Sequence, residues 1–328
     1  MSEIKDATFG EISKAHLKMI TKKTANKDHE YVDKLIPFIG GIYMSELIRP
    51  KELNLAVPSY ALNKYVLKRA MDGVTANTVN KELSLVNTIG KKAIKEYALL
   101  SRRSWENIRL LDESEITRWN FKPSRIRLHL EPEWEAELLK NLSPLLQDMV
   151  TFSIHTGQRD SIVCNLRWQW LHTDTYVDWA GHIGKNERKI TYFRVPKTFM
   201  KSSRYMKEDA YVVLNDIALA QVYRHKSEDS SYVFAVKGKP ISQMNCTEYK
   251  SARLSASKKY PDIMNTDVHS FKRTFITRMI DADVPYEWVQ RLANHKLPEI
   301  TEQYNKMSPR KRVVMHQYVQ RLTRKEEG

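Results

Sequence analysis

Residues 269–275 read His269-Ser270-Phe271-Lys272-Arg273-Thr274-Phe275, and the rest of the chain is read outward from this heptapeptide. Phe271 and Phe275 are four apart, so on a helix they lie one above the other and can anchor that side in a core. His269 and Lys272, three apart, share a different face. Downstream stand Leu292-Ala293-Asn294-His295 and then Tyr304, nine residues after His295 with Pro298 between them. The proline breaks the helix, so His295 and Tyr304 belong to different elements that only the fold can bring together.

Upstream, Thr156-Gly157-Gln158-Arg159 places an arginine just after a glycine break, at the start of a segment ending Leu166-Arg167-Trp168. A guanidinium there can grip a phosphate with two parallel hydrogen bonds. Pro196-Lys197-Thr198 ends a predicted strand and enters the polar loop 198–209. A lysine at such a tip gains chemical meaning where its ammonium can give a proton to a leaving oxygen. Taken one by one, these are ordinary features: a surface arginine at a helix start, a solvated turn lysine, a half-buried tyrosine.

The pattern around them is mainly helical. Thr8 stands three residues before Glu11, a capping-box spacing, and apolar residues recur at Ile12, Leu17 and Ile20. A second helix runs from about Lys27 with Tyr31, Leu35 and Phe38 near one face, and stops at Gly40-Gly41. Helices are expected over 58–71 (Ala61, Tyr65, Leu67) and 76–99 (Val79, Leu83, Val86, Ile89, Ile94). The stretch Lys122-Pro123-Ser124-Arg125 suits a linker. Beyond it, helices are expected from Glu131-Pro132 and over 143–155, and strands at Tyr176–Trp179, Ile190–Val195 and Tyr211–Leu214. From Asp216 onward the pattern is helical again, interrupted by a loop at Gly238-Lys239-Pro240.

The 328 residues carry 54 Lys+Arg against 39 Asp+Glu, a formal charge of +15. It is spread evenly, with 22 basic against 15 acidic side chains in residues 1–125 and 32 against 24 in the remainder. An even spread suits a protein that meets a polyanion with two domains rather than with a tail. At 41% hydrophobic residues the chain is too apolar for disorder. Cys164 and Cys246, the only cysteines, lie far apart with no metal-binding spacing, so neither a disulfide framework nor a zinc site is expected. The N-terminal residues lack a basic stretch followed by an apolar run, and no membrane span is evident; a cytoplasmic protein acting on DNA is expected.

In order and spacing, these segments resemble the tyrosine site-specific recombinases, the phage integrase family. The resemblance rests on Thr-Gly-x-Arg with Leu-Arg-Trp seven residues later, a strand-end lysine, His-x-x-basic, and Asn-His with a tyrosine nine residues on. It implies a mainly α fold with a small antiparallel β-sheet: a helical core-binding domain that holds DNA (1–120), a linker (121–127), and a mixed α+β catalytic domain with a C-terminal helical tail (128–328). On this pattern Arg159 corresponds to the first catalytic arginine, Lys197 to the hairpin lysine and His269 to the first histidine. Lys272 takes the second arginine's place, His295 corresponds to the second histidine, and Tyr304 is the nucleophile. Lys201 is the alternative hairpin lysine.

The implied reaction fits the residue types. A tyrosine is a poor nucleophile until its proton is removed, and a phosphodiester repels it until its oxygens are neutralised. Tyr304 attacks the scissile phosphate, giving a 3′-phosphotyrosine link and a free 5′-hydroxyl, so no metal, ATP or other cofactor is required. His269 assists the Tyr304 proton, Arg159 and Lys272 clamp the phosphate, Lys197 protonates the departing 5′-oxygen, and His295 bonds a non-bridging oxygen. The partners implied are double-stranded DNA recombination sites, a homotetramer on DNA, and accessory DNA-bending or directionality factors.

Three positions depart from the family pattern. Lys272 stands where an arginine is usual, keeping the charge but losing the planar fork; slower chemistry is expected, with Lys272 binding the phosphate as a point charge. Ile162 stands for the usual acidic residue and Asn294 for the usual glycine. Two other assignments share much of this pattern: a telomere resolvase or type IB topoisomerase with the same type of nucleophile, and a DNA-binding relative that has lost catalysis. Retention of Arg159, His269, His295 and Tyr304 together favours an active recombinase.

Overall fold

The computed structural model describes residues 7–20, 25–44, 46–47, 60–97, 107–108, 110–124, 126–177, 187–200, 208–226 and 230–294. The chain divides into two compact units, residues 1–125 and 126–328.

The first unit is helical: α1 (Phe9–Lys18), α2 (Ala25–Ile39), α3 (Tyr60–Met71), α4 (Ala76–Tyr97) and the short α5 (Glu113–Arg118). The capping box forms as its spacing predicts, with the Thr8 hydroxyl accepting from the Glu11 N–H at 3.3 Å and the Glu11 carboxylate accepting from the Thr8 N–H at 2.9 Å. Helix α2 stops before Gly40, whose carbonyl accepts from the Gly10 N–H at 2.9 Å. The core gathers Leu35, Ile39, Tyr65, Val79, Leu83, Val86 and Ile89. Leu67, expected on the apolar face of its helix, is 43% exposed. The buried stripe of α3 runs instead through Leu62, Tyr65, Val66 and Arg69, a three-and-four spacing that leaves residue 67 outside. Phe121, in the expected linker, is buried in this core, and Lys122 pairs with Thr75.

The second unit contains α6 (Pro132–Lys140), α7 (Pro144–Thr156), α8 (Asp160–Val163), β1 (Leu171–Val177), β2 (Glu187–Val195) and β3 (Ala210–Val213). It continues with α9 (Asp216–Arg224), β4 (Ala235–Val236), β5 (Lys239–Pro240), α10 (Thr247–Ser257), α11 (Val268–Asp281) and α12 (Tyr286–Leu292). Strands β1, β2 and β3 form one antiparallel sheet in that order, with Phe193 opposite both Leu171 and Val212. Helix α7 is the axis of the unit, buried through Leu146, Met149, Val150, Phe152 and Ile154, and packed on by α9 and α11. Phe152 stacks edge-on with Phe193 of the sheet and with Phe234, at 6.3 and 5.5 Å.

Two local expectations change. The first strand begins at Leu171 rather than Tyr176, and its exposed His172 and Asp174 obscured the pattern. The expected loop at Gly238-Lys239-Pro240 is half of a small hairpin, β4–β5, turned by Lys237 (φ 52°) and Gly238 (φ 73°), the pair of left-handed residues that tight hairpins favour. The fold is mainly α with a small antiparallel sheet. No helix among the described residues is long and apolar enough to cross a membrane.

Candidate active site

The site is built outward from the C-terminus of α7. Gly157 caps that helix in the left-handed conformation, φ 64°, with its N–H bonded to the Ser153 carbonyl at 2.9 Å. The Phe275 ring lies over it, so a Cβ at position 157 would stand 2.4 Å from a ring carbon. Only glycine satisfies both demands, which gives the Thr-Gly-x-Arg spacing its physical basis. Arg159 follows in extended conformation (φ −75°, ψ 149°) as the N-cap of α8, half-buried.

Helix α11 starts with a capping box between Asp267 and Ser270, which places His269, itself exposed, in its first turn. Phe271 enters the main core, with its ring 5.8 Å from that of Tyr249. Phe275 joins a smaller cluster with Ile276, Ile280, Val289 and Ala293, which fastens α11 to α12. The two phenylalanines therefore anchor the helix as their spacing predicts, but in different clusters.

Lys272 is 7% exposed. Its ammonium donates to the Gly157 carbonyl at 3.1 Å and to the Ala293 carbonyl. Burial, aided by the nearby Arg159 guanidinium, pushes Lys272 down to about 7. Alongside it, the Asn294 amide donates to the Gln158 side-chain oxygen at 3.3 Å, and the Gln158 amide donates to the carbonyls of Thr156 at 2.9 Å and Leu292 at 3.4 Å. Asn294 adopts φ 50°, a left-handed conformation that asparagine tolerates better than most residues, so its replacement of a glycine is conformationally mild. Arg159, Lys272 and the turn that precedes His295 are thus brought together.

Lys197 opens a short 3-10 turn, Lys197–Phe199, just past the end of β2, and is exposed. Asp209 braces this end: its carboxylate accepts from the Lys197 backbone N–H at 3.1 Å and from Arg194 Nε at 2.9 Å, which holds its carboxyl below the usual range. Phe199 packs edge-on against Trp170 at 4.9 Å. The Arg167 guanidinium lies 5.0 to 5.7 Å from the rings of Tyr232, Phe199 and Trp170, a cation held among aromatic rings. Strand β3 lies against α12. Ile162 is buried in the main core, while Asp160 accepts from the Met244 N–H at 2.8 Å. His295, Tyr304, Lys201 and the C-terminal tail lie outside the described residues.

Gln158, Arg167 and Asp209 have contacts that the family motifs do not mark. Gln158 was the free position of Thr-Gly-x-Arg, and its partner lies 136 residues away. The Leu-Arg-Trp motif contains Arg167, but the rings around its guanidinium, Trp170, Phe199 and Tyr232, lie outside the motif.

A helical unit followed by a helix-rich unit with a three-stranded antiparallel sheet, and a basic group gathered at the turn after its central helix, form the setting in which the comparisons support a tyrosine recombinase. The phage integrase family model matches residues 133–311, more than half of the chain, and the chain belongs to that family. Among solved structures it is similar to the Tn1549 transposon integrase in complex with transposon right-end DNA, with 13% identity, a TM-score of 0.63, and coverage of 95% of this chain and 99% of that one. It is also similar to a lambda integrase dimer bound to a COC′ core site (14% identity, TM-score 0.55, 92% and 78% coverage). A lambda integrase tetramer bound to a Holliday junction gives 13% identity, a TM-score of 0.52, and 91% and 77% coverage. At these identities the likeness is one of fold. No curated protein sequence matches the chain.

Proposed function

We propose that this recombinase cleaves and rejoins DNA strands at a specific site through a 3′-phosphotyrosine intermediate. The Tyr304 oxygen forms the new bond to phosphorus, the bond to the 5′-oxygen breaks, and that oxygen leaves as a hydroxyl with a proton from Lys197. His269 takes up the Tyr304 proton, Arg159 grips the non-bridging oxygens, and His295 adds a hydrogen bond to one of them. Lys272 stands behind Arg159, held by the Gly157 and Ala293 carbonyls. Because one phosphodiester is exchanged for another, the step is energetically near balance and calls on neither metal nor ATP.

The observation that supports this reading most is the convergence of Arg159, Lys272 and the Ala293–Asn294 turn, which come from three separate parts of the sequence. The charge of +15 suits a duplex held by residues 1–120 and by the catalytic unit, with binding that weakens steeply as salt rises. The acting unit is a homotetramer on paired DNA sites in the cytoplasm, with accessory DNA-bending or directionality factors choosing the outcome. The test is a nicked suicide duplex built from the DNA flanking the gene. A denaturant-resistant protein–DNA adduct is expected with the wild type and none with Tyr304→Phe. Sequence-selective binding with no adduct from either protein would favour a binding-only relative.

A further inference from the structure

We propose that Lys272 is a positioning residue, which with the Gln158–Asn294 pair ties the turn carrying Arg159 to the end of α12. The two carbonyls that hold its ammonium belong to helix C-termini: Gly157 is the left-handed cap of α7, and Ala293 is the cap of α12. Carbonyls at helix ends lack a partner within the helix and carry the negative end of its dipole. A compact ammonium between two such ends satisfies both and is electrostatically favoured by both.

The second tie has a different chemistry and the same direction. Gln158 immediately precedes Arg159 and Asn294 immediately follows Ala293, and their side chains meet at 3.3 Å while Gln158 also reaches the Leu292 carbonyl. The two turns are therefore joined by one cation and one amide pair, with the phosphate-gripping Arg159 just beyond the joint. A neutral lysine amine still has two N–H groups, one for each carbonyl, so the tie does not depend on the charge that a phosphate clamp would need. The exchange of arginine for lysine then divides two tasks: Arg159 holds the phosphate and Lys272 holds Arg159's turn.

The contact stands independently of the proposed reaction, and its consequence for cleavage rests on that reading, so two measurements on the full chain separate them. In the first, hydrogen exchange is followed at the amides of Gly157, Ile162, Ala293 and Asn294. Lys272→Met should speed exchange at both turns by about tenfold, the loss of one or two hydrogen bonds, and His269→Ala should leave them unchanged. Lys272→Gln, which keeps a neutral donor, should lie between, and serves if the methionine variant fails to fold. Unchanged exchange at either turn overturns the proposal.

The second measurement uses the nicked suicide duplex with the scissile phosphate replaced by a neutral methylphosphonate. Removing a group that neutralises the phosphate should be compensated by a phosphate that needs no neutralising, so Arg159→Ala should recover adduct formation on this duplex. Lys272→Met should not recover. Recovery of Lys272→Met to the same extent as Arg159→Ala would make Lys272 a clamp and overturn the proposal. If the wild type forms no adduct on either duplex, the strand-cleavage reading fails while the tie is judged by exchange alone.

Discussion

Arg69 in the first unit and Lys272 in the second are both buried cations, 8% and 7% exposed, in opposite surroundings. Arg69 sits against carboxylates, with Nη2 2.8 Å and Nε 3.1 Å from the fully buried Glu82 and Nη1 2.9 Å from Asp72; the Tyr65 hydroxyl donates to Glu82 at 2.7 Å. Its charge is compensated, and the hydrogen bonds to the Glu82 carboxylate raise the Arg69 guanidinium above its usual range. Lys272 has carbonyls as its contacts among the described residues and a second cation, Arg159, nearby. A fold that only had to be stable gains nothing from placing two cations together. That arrangement is expected where an anion is to be received, and strongly shifted groups cluster at such places. The comparison sets a buried cation matched by carboxylates against one held by backbone carbonyls beside a second cation.

The largest expected effect tests the compensated side. Glu82→Ala leaves Arg69 buried without its main partner and should cost about 3–5 kcal/mol in the first unit's unfolding, followed by denaturant titration. A loss below about 1 kcal/mol would mean that water replaces Glu82 and that the two cations are less different than their surroundings suggest. On the other side the partners are backbone groups, so the backbone is where it should break. Gly157→Ala forces a side chain into a left-handed residue facing the Phe275 ring and should cost about 2–5 kcal/mol in the second unit, read from its own unfolding transition.

Linkage sharpens the contrast further. With Lys272 down at about 7 in the folded chain and an ordinary value of 10.5, the unfolded chain binds more protons between these limits. Burying the charged lysine therefore penalises the folded state fully below pH 7, and the penalty lifts as pH rises toward 10.5. The wild type should gain stability relative to Lys272→Met over that window, measured by thermal unfolding of both proteins across pH 6 to 10. A constant difference would place the lysine's proton elsewhere. The smallest effect is expected for the exposed pair of Arg194 with Asp209, where Arg194→Ala should change unfolding by no more than about 1 kcal/mol.

What could be read from the sequence was what neighbouring residues encode. The Thr8–Glu11 capping box, the Gly40 stop and the anchoring of Phe271 and Phe275 follow from spacings of one to four residues, and each forms. The family resemblance was legible for the same reason, since its motifs are short. Positions set by tertiary choice were less visible: Leu67 lies outside the buried stripe, which runs through Arg69 and its partner Glu82, 13 residues away on another helix. The partners of Lys272 were hidden altogether, because carbonyls carry no sequence signature. Its correspondence to the family's second arginine implied a direct hold on phosphate, whereas its geometry favours a hold on the turn before Arg159.

The central claim is that this chain joins itself to DNA through Tyr304, and the most direct measurement is peptide mapping of the trapped adduct by mass spectrometry. The expected result is a peptide in which Tyr304 carries the 3′-phosphate end of the cleaved strand. Tyr304→Phe should form no adduct and still bind the duplex with the same salt dependence. An adduct mapped to another residue, or one that persists in Tyr304→Phe, would contradict the account.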